Sequence, residues 1–228
     1  SENIGMGAAN NLGLKRCKTQ FGYVINPDVR FNNNTIDVII DSLKLVNDFA
    51  ILSPFNGNEK NPNYLIKKNY KNINQNILSV DHVDGFSLLI NKEKFKDDVY
   101  FDENFFLYLE NDDLCLRTKK NNENIYLIKN SLINHLGASS SNQSSTKELE
   151  YSRNWHWMWS KFYYNKKHYG FAIGLLNISS NIFSGLMKFI FYSIIFNKYK
   201  KKIYKMRLLG IINSIIGKSS WYRPDIKD

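Results

Sequence analysis

The sequence predicts an α/β protein in which a mixed β-sheet is flanked by helices and is followed by a helical extension. Strand-like apolar runs alternate with helix-like patterns through residues 1–135, which is typical of a layered α/β fold. From Tyr151 onward the apolar residues recur at helical spacing only, and Tyr151, Trp155, Met158, Trp159 and Phe162 fall on one helical face. We place the boundary near residues 145–150, at the end of the polar run at residues 139–147, which divides the chain into residues 1–148 and 149–228.

The individual elements follow from local patterns of apolar residues. Residues 35–47 carry apolar side chains at helical spacing and predict an amphipathic helix. Short apolar runs predict buried strands, one of which is expected to end at Ser53–Pro54. Residues 55–80 are rich in Asn and have no clear period, so we predict a surface excursion. The other predicted helices are residues 5–17 and 112–120, and the predicted strands are residues 21–26, 49–52, 85–90, 124–128 and 132–135.

Composition excludes several classes of protein. Aromatic residues make up 14% of the 228 positions, which excludes a disordered chain. Cys17 and Cys115 lie far apart, without a CxxC pair or a Cys/His cluster, which argues against a zinc site and against a disulfide framework. Residues 1–20 lack the continuous apolar stretch of a signal peptide, and a reducing compartment is the simplest fit.

The net charge of +10 comes from the C-terminal part of the chain. Residues 1–150 contain 17 basic and 19 acidic residues, whereas residues 151–228 contain 14 basic and two acidic residues. Basicity that is confined to an apolar segment favours an anionic membrane surface as the partner and argues against nucleic acid.

The apolar part of this C-terminal region is long enough to reach across a membrane. Residues 170–196 contain a single charged residue, Lys188, and residues 197–207 then contain six basic residues and no acid. As one helix, the apolar stretch would be about 40 Å long, against about 30 Å for a bilayer core. Because Lys188 and several polar residues interrupt it, we predict helices that lie in the membrane plane rather than span it. A buried helical subdomain or a dimer interface is the alternative.

The first polar cluster is Asn26–Pro27–Asp28, directly after a predicted strand. Ligands of α/β sheets gather at the carboxyl ends of strands, so Asp28 is well placed to hold a divalent metal through oxygen. Asn-Pro-Asp is also ordinary turn chemistry, and the residues alone leave both interpretations open.

The second cluster places three carboxylates, Glu110, Asp112 and Asp113, within four positions. Like charges this close raise at least one pKa unless a cation is present, which suits a general base or a metal ligand. An acidic first turn stabilised by the helix dipole is the alternative.

Two further polar points follow or precede predicted strands. His135 ends a strand, and Asp84–Gly85 precedes another. A lone histidine is more often structural than a ligand, and Asp-Gly is a common turn, so neither is diagnostic alone.

The order of these pieces resembles the family-2 glycosyltransferases of the GT-A fold, and most closely their rhamnosyltransferase-like branch. The resemblance covers residues 1–165 and is carried by the blocks ENIGMGAANNLGL, INPDV, VDGFSLLINKEKF, YFDENFFLYLENDDLCLR and NHLGASS. It implies metal binding by Asp28 and His135. It implies catalysis by a carboxylate of the ENDDL block, with Glu110 narrowly favoured over Asp113 and Asp112. It assigns donor and acceptor binding to Asn26, Asp84, Gly85, Asn111 and Arg117.

Two departures from the family pattern stand out. The catalytic aspartate of the family motif corresponds here to Asn111, which cannot accept a proton at neutral pH. The nucleotide-binding strands that open such enzymes are not recognisable, because residues 1–12 already match the segment that follows them. The resemblance therefore implies a partial, N-terminally truncated GT-A domain at residues 1–148.

The resemblance implies an inverting transfer of a sugar, with a rhamnose-like deoxyhexose as the expected cargo. The donor would be a nucleotide-diphosphate sugar, the cofactor Mg²⁺ or Mn²⁺, and the acceptor a cell-surface polysaccharide or a lipid-linked glycan. The expected location is the cytoplasmic face of the cell membrane, and a homo-oligomer is possible. Asn111 and the unrecognised first strands motivate the alternative of a catalytically degenerate partner in a glycan-assembly complex.

Overall fold

The computed structural model describes residues 3–46, 48–67, 72–136 and 146–224. The chain forms two compact units. The α/β unit comprises residues 8–102 and 110–140, and the helical unit comprises residues 1–7, 103–109 and 141–228. The helical unit thus takes up two short segments from the region predicted as the first domain, and most of the polar run at residues 139–147 lies outside the described residues.

The α/β unit is built on a mixed sheet, which confirms the predicted fold class. Strands β3 and β8 are parallel, the other pairings are antiparallel, and the strand order is β1-β7-β3-β8-β2 with β5 also pairing β8. A separate pair joins β4 to β6. The strands are β1 Phe21–Ile25, β2 Val29–Phe31, β3 Ile51–Phe55, β4 Tyr64–Leu65, β5 Ile77–Ser79, β6 His82–Val83, β7 Ser87–Asn91 and β8 Ile125–His135. The helices of the α/β unit are α1 Met6–Arg16, α2 Thr35–Leu43 and α3 Glu110–Lys120, and the first two residues of α1 belong to the helical unit. Two 3-10 turns lie at Lys92–Lys94 and Lys96–Asp98.

Both faces of this sheet are buried, so its central strands read as continuous apolar runs. Alternate residues of β8 join different cores: Leu127 packs in the cluster that contains Leu114 of α3, and Tyr126 packs in the cluster that contains Ile39 of α2. Helices therefore cover the sheet on its two faces. Polar residues lie at the ends of strands: Asp28 before β2, His135 at the end of β8 and Asp84 after β6.

Four sequence predictions are corrected in detail. The helix predicted at residues 35–47 ends at Leu43. The two strands predicted at 124–128 and 132–135 are one strand, because a register shift opposite Pro54/Phe55 absorbs the residues between them.

The strand predicted to end before Ser53–Pro54 continues through Pro54. It pairs β7 only at Ile51 and Leu52, so the missing N–H of Pro54 faces no antiparallel neighbour. The region 55–80 contributes β4 and β5 and buries Asn63 and Ile77, so it is not only a surface excursion.

In the part of the helical unit that the structure describes, there are three long helices: α4 Thr146–Tyr169, α5 Phe171–Ile194 and α6 Lys198–Ile215. The aromatic face predicted on the first of them is confirmed, because its members are all buried: Tyr151, Trp155, Met158, Trp159 and Phe162. Among the described residues, α5 is the one helix that is long and apolar enough to cross a membrane, and most of its large apolar side chains are exposed.

Close packing of α4 on α6 depends on Gly210. A Cβ atom at this position would lie 2.2 Å from the carbonyl oxygen of Trp155, which is backbone and cannot rotate away. We expect Gly210→Ala to destabilise the helical unit by about 1–3 kcal/mol or more, through forced separation of the two helices. Thermal unfolding followed by circular dichroism measures this. Gly13→Ala is the matched control, since a Cβ there meets no atom within 4 Å and adds helix propensity; equal losses in both variants would contradict the argument.

Candidate functional site

Asp28 and His135 lie side by side where β2 meets the end of β8. The register pairs Val29 with His135, and the amide of Leu136 donates to the carbonyl of Asp28 at 3.0 Å. This pairing brings His135 Nε2 to 3.3 Å from Asp28 Oδ1, with the carboxylate only 15% exposed. The turn interpretation of Asn26–Pro27–Asp28 also holds, because the amide of Val29 donates to Asn26. One turn therefore orients a carboxylate towards an imidazole.

Phe86 joins this pair to the turn that follows β6. Its ring stacks on the His135 ring at a centroid distance of 4.3 Å, and its carbonyl accepts from the amide of Asn26 at 2.9 Å. Gly85 precedes it in the tight turn between β6 and β7. The two blocks predicted to bind donor and acceptor thus meet at one edge of the α/β unit.

Asp84 is the electrostatic centre of the site. Burial raises the pKa of its carboxyl, His82 and His135 lower it, and Asp112 raises it. The pKa of Asp84 therefore depends both on His135, in the Asp28–His135 pair, and on Asp112, in the first turn of α3. On the latter side, His82 Nε2 lies 3.4 Å from Asp112 Oδ1.

Glu110 begins α3 and is 4% exposed. Its Oε2 atom is buried and has no hydrogen-bond partner among the described residues. Burial, with a smaller contribution from Asp112, raises the pKa of the Glu110 carboxyl to about 7. A carboxyl that titrates near neutral pH and keeps an oxygen unengaged is suited to accept a proton.

The chain reaches Glu110 through two strained residues. Tyr108 and Leu109 have φ angles of 71° and 66°, a left-handed conformation that bulky side chains rarely adopt. Such strain persists where the surrounding structure over-determines it, and it concentrates at functional sites.

The other two carboxylates of the ENDDL block are engaged differently. Asp113 is fully buried and accepts from Arg117 Nε at 2.8 Å, while Arg117 also donates to the carbonyl of Tyr100. Asp112 is partly exposed beside His82. The structure thus joins Arg117 to Asp113 rather than to the polar edge around Asp84.

Asn111 is held on β6. Its Nδ2 atom lies 3.2 Å from His82 Nε2 and 3.4 Å from the carbonyl of Val83. The amide that replaces the family's aspartate therefore makes contacts with a neighbouring strand.

Sequence reasoning missed His82 and Phe86. His82 lies between the first turn of α3 and Asp84, and Phe86 stacks on His135. The available signal was the polar–apolar–polar alternation of His82, Val83 and Asp84, which is typical of a strand with one buried face. The Asp-Gly pair that follows it is also typical of a turn, which hid this signal.

The fold and this site define an α/β protein with carboxylates and histidines gathered at one edge of a mixed sheet. No profile of a known protein family matches the chain. The chain is 25% identical over 141 residues to the low-salt glycan biosynthesis hexosyltransferase Agl10 of Haloferax volcanii. The match covers 54% of this chain and 46% of that protein, so the chain spans about half the length of this curated relative. This distant, partial match supports a glycosyltransferase relationship.

Proposed function

We propose that the protein is an inverting glycosyltransferase of the GT-A fold, in family 2. It moves a sugar, with a rhamnose-like deoxyhexose as the expected one, from a nucleotide-diphosphate donor to a growing polysaccharide or a lipid-linked acceptor. The observation that carries this proposal is Glu110, whose buried carboxylate opens α3 within an acidic first turn and keeps its Oε2 atom without a hydrogen-bond partner among the described residues. The relationship to a hexosyltransferase supports the same reaction class.

In this proposal Glu110 is the general base. Its raised pKa keeps it basic enough to remove the proton of an acceptor hydroxyl as that oxygen attacks the anomeric carbon. The bond to the diphosphate breaks on the opposite face of the sugar, so the configuration inverts. Asp113 is held by Arg117, and Asp112 is partly exposed, so neither has the buried, unpaired oxygen of Glu110.

Asp28 and His135 would hold the divalent cation. The described residues contain no group of three or more metal-ligating side chains. Asp28 Oδ1 and His135 Nε2 lie 3.3 Å apart and would supply one oxygen and one nitrogen ligand, which substrate phosphates and water would complete. When bound, the cation would offset the charge that develops on the leaving diphosphate. Asp84 and Phe86 border the same edge, where the donor sugar and the acceptor would bind.

The helical unit would attach the protein to the inner face of the cell membrane. The exposed apolar side chains of α5 and the basic first half of α6 support docking on an anionic leaflet, with α5 in the membrane plane. Lys188 lies over the Tyr204 ring at 5.4 Å, so its ammonium has a partner on α6.

The alternative is a catalytically degenerate partner in a glycan-assembly complex. It is favoured by one observation, that Asn111 occupies the position of the family's base and is bound to Val83. This alternative predicts donor binding without turnover.

Nucleotide release from a panel of sugar nucleotides, with the full chain and a lipid-linked acceptor, tests the proposal. We expect release to require Mg²⁺ or Mn²⁺ and to stop when the metal is chelated. Asp28→Asn should raise the metal concentration needed for half-maximal rate roughly 10- to 100-fold, whereas Asp37→Asn, an exposed aspartate of α2, should leave it unchanged. Binding of a donor without nucleotide release from any donor would favour the degenerate partner. Nucleotide release that continues at the same rate after the metal is chelated would exclude the metal site.

A further inference from the structure

A groove with a volume of about 310 Å³ lies within the helical unit, between α4, α6 and the segment that follows α6. Its floor is apolar and is formed by Trp155, Met206 and Leu209. The volume falls in the range of sites for small molecules, which are concave and mostly apolar with a few polar groups.

The outer wall of the groove is aromatic and is held in place. Trp221 meets Trp155 edge to face at 5.7 Å, and Tyr222 stacks on Trp155 at 5.8 Å. Trp221 Nε1 donates to Asn213 Oδ1 at 3.1 Å, so its indole is fixed although it is 53% exposed. Trp and Tyr with one polar end satisfied suit the boundary between an apolar and an aqueous phase.

His156 anchors the segment that carries this wall. Its Nε2 donates to the carbonyl of Tyr222 at 2.7 Å, and its Nδ1 accepts from the hydroxyl of Ser220 at 2.8 Å. Burial lowers the pKa of His156 to about 4, so the ring is neutral at pH 7 and keeps both bonds. The wall therefore exists before any ligand binds.

The rim of the groove is basic. Lys202 and Lys205 line it, and none of the other described lining residues is charged. Lys202 is already bonded to Glu148 at 2.8 Å and covers the Tyr151 ring, whereas Lys205 has no ion pair within the described ranges. An apolar slot with a lysine ammonium at its mouth matches an amphiphile whose head group is anionic.

We propose that this groove binds one molecule of an anionic, phosphate-bearing membrane lipid. Its hydrocarbon chain lies against Trp155, Leu209 and Trp221, and its phosphate is held by Lys205 with help from Lys202. This inference deepens the membrane docking of the proposed function and rests on it, but it does not depend on the glycosyl-transfer chemistry. It assigns to the helical unit a lipid selectivity that an apolar helix lying in a membrane does not have.

Tryptophan fluorescence of the full chain, titrated with decyl phosphate below its micelle concentration, tests the groove. We expect saturable binding of decyl phosphate, at least tenfold weaker binding of decylphosphocholine, and no change with inorganic phosphate. Lys205→Gln should weaken decyl phosphate binding at least fivefold, and Leu209→Phe should weaken it by filling the slot. Lys198→Gln, the same charge removal on the same helix outside the groove, should have no effect.

Flotation with anionic phosphatidylglycerol vesicles separates this inference from membrane docking itself. Flotation of the protein without saturable binding of decyl phosphate would overturn the proposal of lipid binding in the groove and leave membrane docking intact. Equal weakening by Lys205→Gln and Lys198→Gln, or equal affinity for inorganic phosphate, would also overturn it. Saturable, Lys205-dependent binding without flotation would overturn docking, and with it the assignment of a membrane lipid as the ligand of the groove.

Discussion

Replacement of Glu110 by Gln should lower kcat roughly 10²–10⁴-fold, which is the contribution that a positioned general base makes. The amide keeps the shape of the side chain but cannot take a proton. Because the pKa of Glu110 is raised to about 7, the kcat of the unmodified protein should rise with pH up to about that value and then level off.

The same substitution should stabilise the protein at alkaline pH. The pKa of Glu110 is higher in the folded chain than its ordinary value of 4.5. The contribution of Glu110 to the free energy of unfolding is therefore most favourable below pH 4.5, and it is lost as the pH rises through about 7. The ionised, 4% exposed carboxylate therefore costs about 3 kcal/mol at pH 8. Glu110→Gln should remove that cost, so that the variant melts higher than the unmodified chain at pH 8 and equally at pH 4.

Nucleotide release and thermal unfolding, measured on one preparation, check both effects. Asp112→Asn is the control, because it removes a neighbouring carboxylate of the same turn that is paired with His82. We expect it to reduce kcat by less than tenfold. Retention of more than a third of the activity in Glu110→Gln, or a larger loss in Asp112→Asn, would show that the base is elsewhere.

Replacement of Arg117 by Met should destabilise the α/β unit by about 3–5 kcal/mol. Asp113 is fully buried, and removal of one partner of a buried ion pair leaves the other charge without its counterion. Arg117 also donates to the carbonyl of Tyr100, so one more hydrogen bond is lost with it.

The double variant Asp113→Asn with Arg117→Met separates charge burial from lost packing. We expect it to recover at least half of the stability that Arg117→Met alone loses, measured by urea denaturation. Asp113→Asn alone should keep kcat within a few-fold in the folded fraction. A hundredfold loss of kcat in that variant at unchanged stability would instead identify Asp113 as the base.

The candidate site was predictable in part, and the division has a physical reason. Asp28, Asp84 and His135 each follow or precede an apolar run, so local pattern alone places them at strand ends. Their meeting depends on the pairing of β2 with β8, which joins residues more than a hundred positions apart. His82 has no pattern of its own and gains a place only because β6 packs beside α3.

The choice among the three carboxylates was not predictable from their spacing. Glu110, Asp112 and Asp113 share one helical turn, and sequence treats them as equivalent acids. They differ in what surrounds them: Glu110 is buried away from water, Asp112 lies beside a histidine, and Asp113 is paired with a guanidinium.

The sequence by itself determined the α/β class, the aromatic face of α4 and the concentration of positive charge after residue 150, because these depend on local periodicity and composition. Only the tertiary structure decided that β3 runs through Pro54, that Arg117 neutralises Asp113, and that Trp155, Trp221 and Lys205 line one groove. Those facts depend on which distant segments pack together, and long-range packing leaves no mark on the pattern of any single segment.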